Sequence, residues 1–369
     1  MTASNKVGPL PVDIAEISPE FMSASLAGSF PGVRIARVTI EETHHGFSTV
    51  LRIHLEADRA TSPADLPRTV MLKGQFEEAT RRRGRDYTWM SLEMENRAYE
   101  LLPELGLRIP QVYFNALDAE HAQMIILMED LAARGVSFGH GLKPYTPEQV
   151  KRRLTSLAAF HARTWDSPEL GPGGACHAVP ANGATMFDHY LDHAGYDLAE
   201  WQRYVAKPRG MACSVKFHDF DWLRRGIRLA GRLADELPNC VVHGDTHLGN
   251  LYEEPDGTPG YFDSLARREP GLMEATYHIC NAMDPMDRRA NDRDLVAHYR
   301  SELQGHGVDV PPLDDMMEQF AIYLIINYVT FIVNEPTYQS EAFNTAHASR
   351  ANIAMLDHGT FDLVNSLTL

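Results

Sequence analysis

Apolar positions alternate along the first third of the chain and recur at helical spacing afterwards, so the change of period divides it. Near the start, Ile17-Ser18-Pro19-Glu20-Phe21-Met22 carries a helix-start signature, with Ser18 as N-cap, Pro19 at the first helical position and Glu20 in the first turn. From Val33 to Glu56 the β-branched and alternating residues predict two strands joined by residues 42–49, a hairpin with Gly46 at its tip. Thr69-Val70-Met71-Leu72 predicts a third strand ending on Lys73, and the pattern from Tyr87 to Leu102 predicts a helix. Gln123 to Met128 reads as a further apolar strand closing on Glu129-Asp130-Leu131. Thr146-Pro147-Glu148-Gln149 then opens a helix running to about Trp165. Residues 168–183 are rich in Pro and Gly, 186–237 supply helical segments carrying Trp201 and Trp222, and from Arg293 the pattern is helical with breaks at Pro311-Pro312 and Glu335-Pro336. The expected fold class is α+β: a sheet-rich N-terminal part followed by a mainly helical remainder.

Composition narrows the partners. A formal net charge of −16 over 369 residues repels nucleic-acid phosphates and anionic lipid, so neither a nucleic acid nor a membrane is expected as a partner. Arg81 to Arg85 form the one basic cluster and read as a solvated loop. The four cysteines, Cys176, Cys213, Cys240 and Cys280, have no metal-ligand spacing and read as reduced, packed thiols. The first residues lack the apolar core of a signal peptide, and the longest apolar stretch, Phe320 to Val333, contains Asn327 and suits a buried helix. A cytoplasmic protein is the expectation.

Chemistry concentrates where Val241-Val242 leads into His243-Gly244-Asp245-Thr246-His247-Leu248-Gly249-Asn250, followed by Leu251-Tyr252, an acidic turn and Tyr261-Phe262-Asp263. Short hydrophobic segments flanking turns would bring Asp245, Asn250 and Asp263 onto neighbouring loops. Such a set suits phosphoryl transfer. Asp245 could take the proton of an attacking hydroxyl, while the Asn250 amide oxygen and the Asp263 carboxylate are hard ligands for a Mg2+ that bridges ATP phosphates. Lys73, at a strand end, is the only lysine between Lys6 and Lys143 in a stretch that otherwise uses arginine.

His-Gly-Asp-x-x-x-x-Asn with an Asp 13 residues after Asn250 resembles the catalytic loop and metal-binding Asp of aminoglycoside phosphotransferases, closest in flavour to the ecdysteroid-kinase-like and choline-kinase-like branch. The resemblance implies a two-lobed, protein-kinase-like fold, with a small antiparallel-sheet lobe carrying one key helix over residues 1–131 and a larger, mainly helical lobe over residues 132–369, and an ATP- and Mg2+-dependent transfer to a small-molecule hydroxyl acceptor. By it, Asp245 is the catalytic base, Asn250 and Asp263 hold Mg2+, and His243 buttresses the loop. Met128-Glu129-Asp130-Leu131 looks like the interlobe hinge, whose backbone would bond adenine. Lys73 resembles the lysine that contacts the α- and β-phosphates. Its partner by the family's Glu-x-x-x-Tyr pattern is Glu95, with Glu93 the competing choice of helical register. Backbone N–H groups from Gly46 through Ser48 to Thr49 would face phosphate oxygens.

Two positions depart from the family pattern: Ser264 stands where relatives carry an aromatic residue, and Glu274 where they carry Asp. Neither removes a catalytic atom. The rival readings are a nucleotide-binding pseudokinase and a metallohydrolase built on His243, Asp245 and His247 as a His-x-Asp-x-His site. The other histidines, including His161, His278 and His298, read as polar edges of packed helical faces. The acceptor is expected near residues 185–232, where Asp188, His189, Tyr190, Asp192, His193, Tyr196 and Trp201 mix acidic and aromatic groups. These would suit a cationic amine, or they form the solvated side of amphipathic helices.

Overall fold

In the computed structural model, which describes residues 9–45, 48–58, 62–78, 85–193, 197–335 and 338–367, Ser18 caps helix α1 (Pro19–Leu26) by accepting the Phe21 N–H at 3.2 Å. The chain forms two compact units, residues 1–104 with 108–137 and residues 105–107 with 138–369.

The first unit is a five-stranded antiparallel sheet built from β1 (Ile35–His45), β2 (Thr49–Ala57), β3 (Thr69–Gly74), β4 (Val112–Asp118) and β5 (Gln123–Glu129), in the order β1-β2-β3-β5-β4. Helix α2 (Arg85–Glu104) packs on β4 and β5, and α1 on β1 and β4. The apolar run of β5 follows from this sandwiching. Ile125 and Leu127 join the core that contains Phe21, Met22, Leu51, Ile53 and Leu72, whereas Met124, Ile126 and Met128 face Leu92 and Tyr99 of α2. A strand covered on both faces has no polar side to show in its sequence.

Strands β1 and β2 extend further toward each other than the predicted 42–49 connection, since pairing continues to His45↔Thr49 after a register shift between Glu42 and His44. That shift is the signature of a bulge, which lets a polar stretch stay in the ladder. Gly46 lies outside the described residues.

The second unit is mainly helical: α3 (Pro147–His161), α4 (Ala184–His193), α5 (Leu198–Val205), α6 (Pro208–Met211), α7 (Phe220–Glu236), α8 (Gly271–Ala282), α9 (Pro285–Gly305), α10 (Leu313–Val333), α11 (Glu341–Asp357) and α12 (Thr360–Ser366). Helix α3 stops at His161 rather than Trp165, with turns following. The C-terminal helical run starts earlier than Arg293, because Asp284 accepts the Met286 N–H and, with Pro285 at the first position, sets the α9 start. Helix α10 has a window of mean hydropathy 1.5, long and apolar enough for a membrane span by composition, yet 67% of that window is buried. It packs against α7, α8 and α11.

Small ribbons interrupt the helices. Strands β7 (Cys240–Val242) and β10 (Arg267–Glu269) pair antiparallel, and β8 (Leu251–Glu253) pairs with β9 (Pro259–Tyr261) on one edge and β6 (Ser137–Phe138) on the other. Arg153 of α3 is fully buried and donates to Gly260 O at 2.8 Å and Tyr252 O at 3.0 Å, pinning the β8–β9 hairpin to the helix. The loops 243–250 and 262–266 thus leave and rejoin anchored strands.

Candidate active site

The first unit holds a buried ion pair at the end of β3. Lys73 Nζ donates to Glu95 Oε1 at 2.5 Å, and both residues are buried. Glu93 is exposed, so the register of α2 brings Glu95 to the lysine. A charge held in this way is expensive to orphan, which fixes the ammonium at the end of β3. Ser48 is buried with its hydroxyl accepting from Gln75 Nε2 at 2.7 Å, and Gln75 N–H in turn donates to Gln123 Oε1. At the segment expected to be a hinge, Glu129 accepts from Arg134 at 2.9 Å and from Gln111 N–H at 2.8 Å. Asp130 accepts from Arg52 Nε at 2.9 Å and caps the turn at Ala132 N–H, and Leu131 is buried. The side chains of Glu129 and Asp130 are therefore engaged in holding the segment's shape.

In the second unit Asp245, Asn250 and Asp263 come together. Asn250 Nδ2 donates to Asp245 Oδ2 at 2.9 Å, to Asp245 O at 3.0 Å and to Asp263 O at 3.4 Å. With the amide nitrogen directed at three oxygens, its Oδ1 remains as the acceptor end. The two loops are stitched by Phe262 N–H to Asn250 O at 3.1 Å and by Leu265 N–H to His243 O at 3.0 Å. Ser264 adds a hydroxyl bond to the same His243 O at 2.7 Å, so the departure from an aromatic residue supplies a polar stitch. Asp263 has a left-handed backbone, φ 54°, unusual for a non-glycine and held by these contacts. At Gly244, φ is 89° and an added Cβ would lie 2.1 Å from Leu265 O, so no side chain fits.

His243 lies under the loop. Its Nε2–H donates to Phe262 O at 3.1 Å and its Nδ1 accepts the Asp245 N–H at 3.3 Å, so both ring nitrogens are engaged within the protein. Burial holds its pKa below the ordinary imidazole range, consistent with the neutral tautomer those bonds require. The His-x-Asp-x-His reading fails on this geometry, because His243 has no lone pair left for a metal. No cluster of three or more His, Cys, Asp or Glu side chains able to hold an ion occurs among the described residues.

Helix α8 grips the loop at successive positions. Glu274 accepts the His243 N–H at 3.0 Å, the Gly244 N–H at 2.6 Å and a bond from His161 Nε2 at 2.9 Å. One turn on, Tyr277 Oη donates to Asp245 Oδ1 at 2.9 Å, and His278 Nδ1 donates to Thr246 O at 3.1 Å. Residues i, i+3 and i+4 share a helix face, so one face reaches four consecutive loop residues. His161 also meets Tyr299 Oη at 2.7 Å. The expectation that His161 and His278 are polar edges of packed faces is corrected: both are wholly buried loop supports. Their spacing from the motif gave no sequence signal, since the contacts span 113 and 32 residues.

Burial alone would raise the Glu274 pKa, but the His161 hydrogen bond and charge, then His243 and the Gly244 N–H, more than offset it and hold the carboxylate below its usual range. Burial lowers His278 from 6.5 to about 3 and moves His347 in the same direction. In each case the unfolded chain takes up a proton that the folded protein refuses. Stability is complete above the unfolded values and is lost as pH falls toward the folded ones. The thermal midpoint is therefore expected to fall progressively as pH drops from about 6.5 toward 3, measured by circular dichroism; a flat profile down to pH 4 would contradict it.

The segment expected to face an acceptor is used differently. Trp201 is buried at 1% exposure with Nε1 donating to His218 O, so it is a core residue and not a surface aromatic. Asp188 pairs with Arg228 at 3.0 Å. Tyr196 and the side chains of His189, Tyr190, Asp192 and His193 lie outside the described residues, as does most of the Arg81 to Arg85 cluster.

Similar solved structures include the choline kinase LicA from Streptococcus pneumoniae, at 14% identity and TM-score 0.47, covering 87% of this chain and 94% of that one. An aminoglycoside phosphotransferase from Streptomyces rimosus is 14% identical with TM-score 0.44, covering 78% and 92%. A macrolide 2'-phosphotransferase from Brachybacterium faecium is 11% identical with TM-score 0.42, covering 88% and 93%. No curated protein is a significant match by sequence. The model of the phosphotransferase enzyme family, APH, matches residues 39–262, more than half of the chain and from the first strand through the loop that carries Asp245 and Asn250, and the chain belongs to that family.

Proposed function

We propose that the protein is an ATP- and Mg2+-dependent kinase that transfers the γ-phosphoryl group to a hydroxyl of a small molecule. The observation that carries this reading is the single hydrogen-bonded set formed by Asp245, Asn250 and Asp263 in a member of a phosphotransferase family. In this reading Asp245, whose side chain is 27% exposed, orients the acceptor hydroxyl and takes its proton. His243 holds the loop from beneath.

The donor chemistry fits Mg2+. Asn250 Oδ1 and the Asp263 carboxylate are hard oxygens, and two protein ligands suit an ion that keeps several waters and binds substrate phosphates, whereas a structural zinc site needs four protein ligands. Bound there, the ion would neutralise charge on the nucleotide phosphates. In this reading Lys73, oriented by Glu95, is the cation assigned to the α- and β-phosphates. The Met128 to Leu131 backbone serves adenine, with the Glu129 and Asp130 side chains holding its shape.

Calorimetric titration with ATP tests the reading. Binding is expected to be Mg2+-dependent in the wild type and to lose that dependence in Asp263→Asn. Heat-silent titration at millimolar ATP with Mg2+ would overturn it. Binding without phosphate transfer to any hydroxyl compound would leave a nucleotide-binding protein without turnover.

A further inference from the structure

We infer that Tyr277 is a positioning residue for the transfer step, fixing the Asp245 carboxylate through Oδ1 while Asn250 fixes it through Oδ2. The inference rests on the kinase reading above and deepens it. Tyr277 Oη donates to Oδ1 and Asn250 Nδ2 to Oδ2, each at 2.9 Å, and His247 Nε2 lies at a longer 3.5 Å from Oδ2. Two donors on different oxygens stop rotation about the Cβ–Cγ bond and leave each oxygen a second lone pair. Without the Tyr277 hydroxyl, the remaining neighbours Asn250 Nδ2 and His247 Nε2 both act on Oδ2, and the carboxylate could pivot about that oxygen.

The phenol is itself held. Its ring stacks on Phe331 of α10 at 6.0 Å between centroids and 22° between planes, and its helix is tied to the same loop through Glu274 and His278 on either side. Burial, reinforced by the Asp245 charge, raises the Tyr277 pKa well above the ordinary phenol value, so the hydroxyl stays a neutral donor.

In the transfer step the acceptor O–H bond breaks and its proton passes to a lone pair of Asp245. The acceptor oxygen bonds to the γ-phosphorus, and the bond from that phosphorus to the bridging oxygen breaks with its electron pair leaving on ADP. Tyr277 neither gains nor loses a proton. Its contribution is orientation, which is sensitive to displacements of about 1 Å.

The test uses the full-length protein with ATP, Mg2+ and water as the acceptor, read as phosphate release. Tyr277→Phe keeps the ring stack and removes only the hydroxyl. It is expected to lower kcat roughly 10- to 100-fold while KM for ATP stays within about twofold of wild type. In an Asp245→Asn background the same substitution should have no further effect, because the carboxylate it positions is gone. Wild-type turnover by Tyr277→Phe, or an equal fractional loss in both backgrounds, overturns the inference and leaves the kinase reading standing. A wild-type protein that releases no phosphate above the Asp245→Asn variant overturns the inference, and the ATP titration above decides the kinase reading separately. If Tyr277→Phe is poorly folded, a halved occupancy of active sites lowers kcat no further than that occupancy, which active-site titration with ATP separates from a loss per site.

Discussion

Asp245→Asn is expected to lower turnover by about 10²- to 10⁴-fold, the usual contribution of a positioned general base, while nucleotide binding persists. The change is nearly isosteric, but its effect on local bonding is specific. Asp245 Oδ2 accepts from Asn250 Nδ2 and Oδ1 from Tyr277 Oη, so a side-chain amide must turn its own NH2 toward one of two donors. Modest loosening of the loop accompanies the loss of the base, and the loss of the base dominates. The separating measurement is the ratio of ATP affinity to turnover: affinity within a few-fold of wild type with turnover near background fits the assignment. Retained turnover would remove Asp245 from the chemistry.

Glu274→Ala should be the most damaging single change to the second unit's stability. It strands the N–H groups of His243 and Gly244 and the His161 imidazole, all of which are buried. Removing one partner of a buried charged set costs about 3–5 kcal/mol. For a unit of this size that corresponds to a fall in thermal midpoint on the order of 10 °C. Glu274→Asp keeps the charge but shortens the reach by one methylene, so it should lose only part of this. A thermal midpoint for Glu274→Ala equal to that of Glu274→Asp would show that the three bonds do not act through the longer side chain.

The sequence carried the candidate loop because it is contiguous: Asp245 and Asn250 are five positions apart, with Asp263 just after the next hairpin. The strand-to-helix order of the first unit was legible for a similar reason, since Ile53, Leu72 and Ile125 sit in runs whose period or apolarity declares them. Strand β4 was missed. Every one of its seven residues is partly buried, so it shows neither alternation nor a buried run. Lys73 stood out as a lysine among arginines, but choosing Glu95 over Glu93 needed the helix phase. Tyr277, Glu274 and His161 were not assigned to the loop, because nothing in a single sequence relates a helix face to a loop some thirty residues away or to a helix more than a hundred away. Trp201 was misplaced for the opposite reason: aromatic and acidic neighbours suggest a binding surface whether the ring points outward or, as here, into the core.

The position of α10 has a consequence for synthesis. The proposed set of Asp245, Asn250 and Asp263 is finished at Asp263, but α10, against which α7 and α8 pack, is not finished until Val333, about seventy residues later. At roughly 5–20 residues per second, the growing chain spends roughly 4–14 s with those apolar faces lacking their cover. A ribosome stalled in that window holds Asp245, Asn250 and Asp263 on a core that cannot yet close, with the kind of surface that chaperones bind.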